Sequence, residues 1–87
     1  MKKLVKIEEV ENEGYVAFMD KRITLFCESY IITGDLVGVN NKFLKLDNPA
    51  IVYETGPFTT KEWKDAQALP NFAYVNISHI EMFCLLK

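Results

Sequence analysis

The feature that most constrains this chain is a run of strand-forming residues punctuated by two glycines, Tyr30-Ile31-Ile32-Thr33-Gly34-Asp35-Leu36-Val37-Gly38-Val39. Tyr, Ile and Val suit a pleated, half-buried surface. Side chains alternate along a strand, so Gly34 and Gly38 share a face. Glycines inside a strand mark a bend or a close backbone approach, and the run therefore predicts a long strand creased twice. Asn40-Asn41-Lys42 follows with turn chemistry, because Asn tolerates left-handed backbone angles and bonds its own backbone. Phe43-Leu44-Lys45-Leu46 reads as the return strand, with Leu44 and Leu46 inward and Lys45 outward. A strand creased this hard curls a short sheet over itself towards a small barrel.

The other segments fill in around this hairpin. Residues up to about Met19 predict a polar start and a short helix, with Asn12 as its cap, Glu13 in the first turn where the helix dipole favours an acid, and Val10 as a staple. Tyr15, Phe18 and Met19 fall at helical spacing and form its apolar stripe, while Gly14 weakens it. Leu4, Val5 and Ile7 are open to an extended reading. Arg22-Ile23-Thr24-Leu25-Phe26-Cys27 reads as the first strand, apolar on both faces and so covered on both. Glu28-Ser29 links it to the creased strand as a hairpin. Asp47-Asn48-Pro49 marks a bulge or bend at an edge, since proline has no N–H for a ladder, and Ala50-Ile51-Val52-Tyr53-Glu54 resumes the third strand. Thr59-Thr60-Lys61-Glu62 has the spacing of a capping box. It predicts a helix of about two turns through Ala68, ended by Pro70, with Trp63, Ala66 and Leu69 facing the sheet. Tyr74-Val75-Asn76-Ile77-Ser78 alternates as a half-buried strand does, His79 breaks the pattern, and Ile80 to Leu86 forms the last strand.

Composition narrows the function classes. Eighty-seven residues make a single domain, residues 1–87, and an apolar content of 49% excludes a disordered chain. Apolar runs are short, so no membrane span is expected. The start carries lysines but no long apolar core, so no secretory signal is read there and a cytoplasmic setting is expected. Ten basic against twelve acidic residues give a net charge of −2. That argues against coating nucleic acid by bulk charge, which rests on many phosphate contacts, and leaves a local site open. Cys27 and Cys84 are expected to be free thiols packed as small apolar residues. With no Cys/His cluster, neither a metal nor another cofactor is expected. The acids form no paired motif, Ser78 and His79 would point to opposite faces of a strand, and no glycine-rich phosphate loop is present. The chain is accordingly not read as an enzyme.

A helix followed by five strands, the second creased at glycines, resembles the Sm/LSm family, including its bacterial Hfq-like branch. The residues that carry the resemblance are Gly34-x-Leu36-x-Gly38-Val39-Asn40-Asn41-Lys42-Phe43-Leu44-x-Leu46, which look like the family's first motif with Asn40 in place of its Asp. Val75-Asn76-Ile77-Ser78-His79-Ile80 sits where the second motif falls, without its Arg-Gly or Tyr-Lys-His. The resemblance covers roughly residues 15–87, and the insertion at 56–72 falls in the family's most variable connection. Glu11-Asn12-Glu13-Gly14, Thr24-Leu25-Phe26-Cys27, Ile51-Val52-Tyr53-Glu54-Thr55-Gly56 and Trp63-Lys64-Asp65-Ala66-Gln67 are similar to uncharacterised short Sm-like proteins of phage and marine origin.

The resemblance implies a mainly β fold: an Sm-like small barrel of five strongly bent antiparallel strands, with an N-terminal helix and a short helix between strands three and four. It implies a homo-oligomeric ring of about five to seven copies, closed head to tail by pairing strand four with strand five of the next copy. It also implies binding of single-stranded RNA, or DNA, and a role in RNA or DNA processing in the cytoplasm of a bacterial or phage-infected cell. The binding residues it points to are Asn40, Asn41 and Lys42 in one turn and Asn76, Ser78 and His79 in the other. The amides suit base edges, Lys42 suits phosphate, and His79 can stack or bond. Lys42 stands where the family carries a stacking aromatic, and ring symmetry would repeat each weak contact. A second reading is a structural or adaptor ring that binds protein through residues 59–72, with Trp63 and Phe72 as anchors. Asn40 and Asn41 are also what any tight turn selects. Salt-sensitive binding of short RNA separates the two readings.

Overall fold

The computed structural model describes Leu4, Ile7 and residues 13–87. Its elements are α1 (Gly14–Ala17), β1 (Arg22–Cys27), β2 (Ile31–Val39), β3 (Phe43–Glu54), β4 (Asp65–Ala68), β5 (Ala73–Asn76), a 3-10 turn (Ile77–His79) and β6 (Ile80–Cys84). The fold is mainly β, one antiparallel sheet in the order β4-β3-β2-β1-β6, with β5 also paired to β3.

The crease forms where the glycines predict it. The register of β2 against β3 slips between Thr33 and Asp35 and again between Leu36 and Gly38. A Cβ at Gly34 would lie 2.9 Å from the Leu46 Cβ and 3.3 Å from the Asp47 carbonyl oxygen, so only glycine lets β3 come this close. Across the first slip, Asn48 takes up the extra length at φ 48°, a left-handed angle that Asn accepts. A polar lacing covers the bend. Arg22 Nη1 donates to Asp35 Oδ1 at 3.3 Å and to the Asn48 carbonyl at 2.9 Å, and Asn48 Nδ2 donates to Asp35 Oδ2 at 3.2 Å. One side chain from each of β1, β2 and β3 is thus tied at the same point.

The far edge of β3 serves two partners. Phe43 to Leu46 pair with β5, and Ala50 to Glu54 pair with β4. Pro49 falls in the gap, where its missing N–H leaves no donor unpaired, and its carbonyl accepts from the Leu69 N–H at 2.8 Å. The expected bulge at Asp47-Asn48-Pro49 is therefore present, within a strand that runs unbroken from Phe43 to Glu54.

Inside the sheet, Ile23, Leu25, Leu36, Leu44 and Leu46 are fully buried and Val75 nearly so. Tyr15, Phe18 and Met19 pack against them as the stripe predicts, although α1 is a single turn. The Phe83 ring receives two of these side chains, with its centroid 4.1 Å from Tyr15 and 5.8 Å from Phe18. Glu13 occupies the cap position with no side-chain capping bond. Val5, Val10 and Asn12 lie outside the described residues, and Leu4 and Ile7 are exposed. In β1, Ile23, Thr24 and Leu25 are all buried, so both faces are covered. Thr33 Oγ1, also buried, donates to the Ile23 carbonyl at 3.1 Å. Cys27 and Cys84 are free and half-buried. Among the described residues, no helix is long and apolar enough to cross a membrane.

Two architectural expectations are corrected, and two strand ends move. The inserted helix does not form: Asp65–Ala68 is strand β4, which brings the strands among the described residues to six. The capping-box spacing is overridden by tertiary contacts. Lys87 Nζ donates to the carbonyls of Thr55, Pro57 and Glu62, each at 2.9 Å, and lies 4.7 Å from the centre of the Trp63 ring. Residues 55–64 wrap this ammonium as a loop, with Trp63 half-buried, and residues 65–68 complete the open edge of β3 while Ala66 stays exposed. The second correction is that the sheet does not close into a barrel. Among the described residues β5 pairs with β3 and β6 pairs with β1, and no ladder joins β5 to β6. The strand expected to reach Ser78 ends at Asn76 because Asn76 starts the 3-10 turn, and the last strand ends at Cys84.

Gly34→Ala should cost about 1–3 kcal/mol in urea unfolding, because its Cβ would press on the packed Leu46. Gly38→Ala should cost less, since the nearest atom there, the Lys45 Cβ, lies at 3.2 Å rather than 2.9 Å. Lys87→Met should lower stability by about 1–3 kcal/mol and speed amide exchange across residues 55–64.

Candidate nucleic-acid interface

Each of the two turns is closed by an asparagine. Asn40 Oδ1 accepts from the N–H groups of Lys42 and Phe43, both at 2.7 Å, and the Asn40 N–H donates to the Phe43 carbonyl at 3.0 Å. Asn76 Oδ1 accepts from the Ser78 N–H at 3.0 Å and from Ser78 Oγ at 2.8 Å. Because the partners on each side are donors, the amide oxygen must face the backbone. The Nδ2 group of each asparagine is left without a protein acceptor among the described residues.

The turns are neighbours in space. Phe43 and Asn76 are opposed in the β3–β5 ladder, and the Ile77 N–H donates to the Lys42 carbonyl at 2.9 Å. Asn41, Lys42, Phe43, Asn76, Ile77 and Ser78 together line a groove of about 390 Å³. Four of the six residues expected from the sequence therefore meet here. Asn40 borders the adjoining groove, and His79 is turned elsewhere. The His79 carbonyl accepts from the Glu28 N–H at 3.1 Å, and its Nδ1 lies 3.2 Å from Glu28 Oε1. His79 borders a separate, mostly apolar groove of about 410 Å³ with Cys27, Tyr30, Ile32, Leu69 and Val75.

The adjoining groove was not anticipated. It measures about 200 Å³ and is lined by Gly38, Val39, Asn40, Phe43, Lys45 and Tyr74. Lys45 and Tyr74 are direct partners in the β3–β5 register. Lys45 Nζ lies 4.2 Å from the centre of the Phe72 ring and 5.8 Å from that of Tyr74, within reach of the ring quadrupoles. The Lys45 stem lies close across Gly38, where a Cβ would meet the Lys45 Cβ at 3.2 Å. The available sequence signal was alternation: Lys45 lies between inward Leu44 and Leu46, and Tyr74 precedes inward Val75. What was missing was the register that puts them together.

Among the described residues, each of these two grooves is lined by one lysine and no acid, whereas the groove beside Trp63 mixes Arg22, Lys61, Lys64 and Lys87 with Glu62 and Asp65. Phe43 belongs to both lysine-lined grooves, and among the described residues Lys42 is the charged residue of the first and Lys45 of the second. On a chain of net charge −2 this is a local cationic track. Elsewhere, burial pushes the Cys27 thiol above its usual range, and the Glu81 and Glu28 carboxylates push it further, which disfavours the thiolate that nucleophilic chemistry needs. Among the described residues, no group of three His, Cys, Asp or Glu side chains is placed to hold a metal. Of the two aromatic anchors in the protein-binding reading, Trp63 packs on Lys87 and Phe72 on Lys45. No protein-family model, no curated protein and no solved structure matches this chain.

Asn40→Ala should destabilise the fold by about 1 kcal/mol, because two turn N–H groups lose their acceptor. Asn40→Asp, which keeps that acceptor, should retain most of the stability in the same urea titration.

Proposed function

We propose that this chain is a subunit of an Sm-like homo-oligomeric ring that binds single-stranded RNA at its paired turns and serves in RNA or DNA processing in a bacterial or phage-infected cell. The observation that carries this reading is the cationic track: two grooves sharing Phe43, with Lys42 and Lys45 as their charged residues. An ammonium beside turn amides and aromatic rings suits a phosphate chain whose bases are unpaired. The Ile77–Lys42 bond holds the two turns in one frame, so little ordering is needed when a ligand arrives. No catalytic step belongs to this reading.

Ring assembly is supported by the strand edges. Each of β5 and β6 has one side without a ladder among the described residues, and Met82 and Leu85 are exposed at the β6 end. The apolar groove lined by Ile32, Leu69 and Val75 also borders β5 residues Ala73 to Asn76. An unpaired strand beside exposed apolar side chains is an association surface. A head-to-tail contact that closes gives a ring, here of about five to seven copies, and repeats Lys42 once per copy.

Native mass measurement should give a particle of several subunits, and fluorescence anisotropy with short oligo-A and oligo-U should show binding that falls with salt. Lys42→Ala should weaken that binding and flatten its salt dependence. A stable monomer at micromolar concentration would overturn the ring, and binding indifferent to salt and to Lys42 would overturn the RNA site.

A further inference from the structure

The β3–β5 ladder leaves three large rings partly in water on its outer side: Tyr74 is 64% exposed, Phe72 50% and Phe43 40%. Aromatic side chains are costly to leave wet, and two of these rings lie beside one cation. Lys45 Nζ sits 4.2 Å from the Phe72 ring centre and 5.8 Å from that of Tyr74. Phe43 is two residues from Lys45 in β3 and therefore on the same face of the strand. The groove among Phe43, Lys45 and Tyr74 is about 200 Å³, and Gly38 adds no side chain to it. Asn40 stands at its rim with the amide oxygen committed to the turn, so its Nδ2 is the donor left for a ligand.

We propose that this groove is a stacking slot for one base of a single-stranded nucleic acid, with Phe43 and Tyr74 supplying the ring surfaces, Asn40 Nδ2 a donor to the base edge, and Lys45 the contact to the adjoining phosphate. The proposal rests on the RNA-binding reading above and extends it from the turns onto the sheet. Phe43 is the physical link, because it lines both this slot and the groove that contains Lys42. A strand leaving the turns can continue across the face of β3 without meeting an acid among the described residues of either groove. The two grooves therefore divide the work, the turn groove holding backbone charge and the ladder groove holding a base. Stacking tolerates any base, so the slot sets affinity and path more than sequence preference.

The test compares short dye-labelled oligo-U with an oligomer of equal length and charge that carries abasic sugars, by anisotropy, for the full chain and for Tyr74→Ala, Tyr74→Phe, Phe43→Ala and Lys42→Ala. Tyr74→Ala and Phe43→Ala should each bind oligo-U about tenfold more weakly, with Tyr74→Phe unchanged. The abasic oligomer should bind the unmodified chain more weakly than oligo-U does, and Tyr74→Ala should weaken it no further. Tyr74 is largely exposed, so its alanine variant should fold, and thermal melting checks this for both alanine variants. If Lys42→Ala weakens binding while Tyr74→Ala and Phe43→Ala bind oligo-U normally, the slot is overturned and the turn site stands. If Tyr74→Ala instead breaks the native particle into smaller species, this face is a contact between copies and the slot is again overturned. If the unmodified chain binds neither oligomer, both the slot and the reading beneath it fall.

Discussion

The approach of β3 to Gly34 is the constraint from which the rest of the sheet follows. Leu46 is fully buried and packs where a side chain on residue 34 would have to go. With that space empty, β2 bends sharply enough to remain paired with both β1 and β3. The bend shifts the register, Asn48 absorbs the shift in the left-handed region, and β3 is divided into two segments with different partners. The lacing of Arg22, Asp35 and Asn48 follows the same logic, since it bridges three strands at the first of the two slips in the β2–β3 register. As an exposed network it contributes little energy by itself. Its effect is to hold the geometry that the packed leucine and the absent side chain create.

Asn40 and Asn76 show how a structural role can leave one end of a side chain open for the proposed binding role. The oxygen of each amide is used by its own turn, which is what turn chemistry alone would demand. That commitment fixes the direction of the nitrogen. A side chain locked by two bonds offers its remaining donor with little entropy to lose, whereas a freely rotating amide would not. The ordinary turn residue and the proposed ligand-facing residue are on this reading the same residue, viewed from its two ends.

Local patterns carried much of this fold. Alternation exposed Leu44 and Leu46 as core, the glycines located the crease, and Tyr15, Phe18 and Met19 declared their stripe before any coordinates. Asp65–Ala68 defeated the reading because Asp-Ala-Gln-Ala has little preference for a strand, and a nearby capping box pointed the other way. The deciding partner was Lys87, 25 residues beyond Glu62, and no local signal reports on an ammonium that distant. Closure failed to be legible for a related reason: the order of strands says which edges are left over, not whether they bond. The site divides along the same line. The two turns were visible as turns, and the resemblance placed them together. The bond of His79 to Glu28 spans 51 positions, and the partnership of Lys45 with Tyr74 needs the β3–β5 register, so neither could be read from neighbours in the chain.

The shared outer edge of β3 has an architectural consequence. The half beyond Pro49 carries β4 and the loop that grips Lys87, while the half before it carries every residue of the cationic track that lies on that strand. Pro49 marks the boundary between the two. The loop at 55–64 and β4 therefore attach to a stretch of β3 that makes no pair with β5, the strand that carries Tyr74 and Asn76.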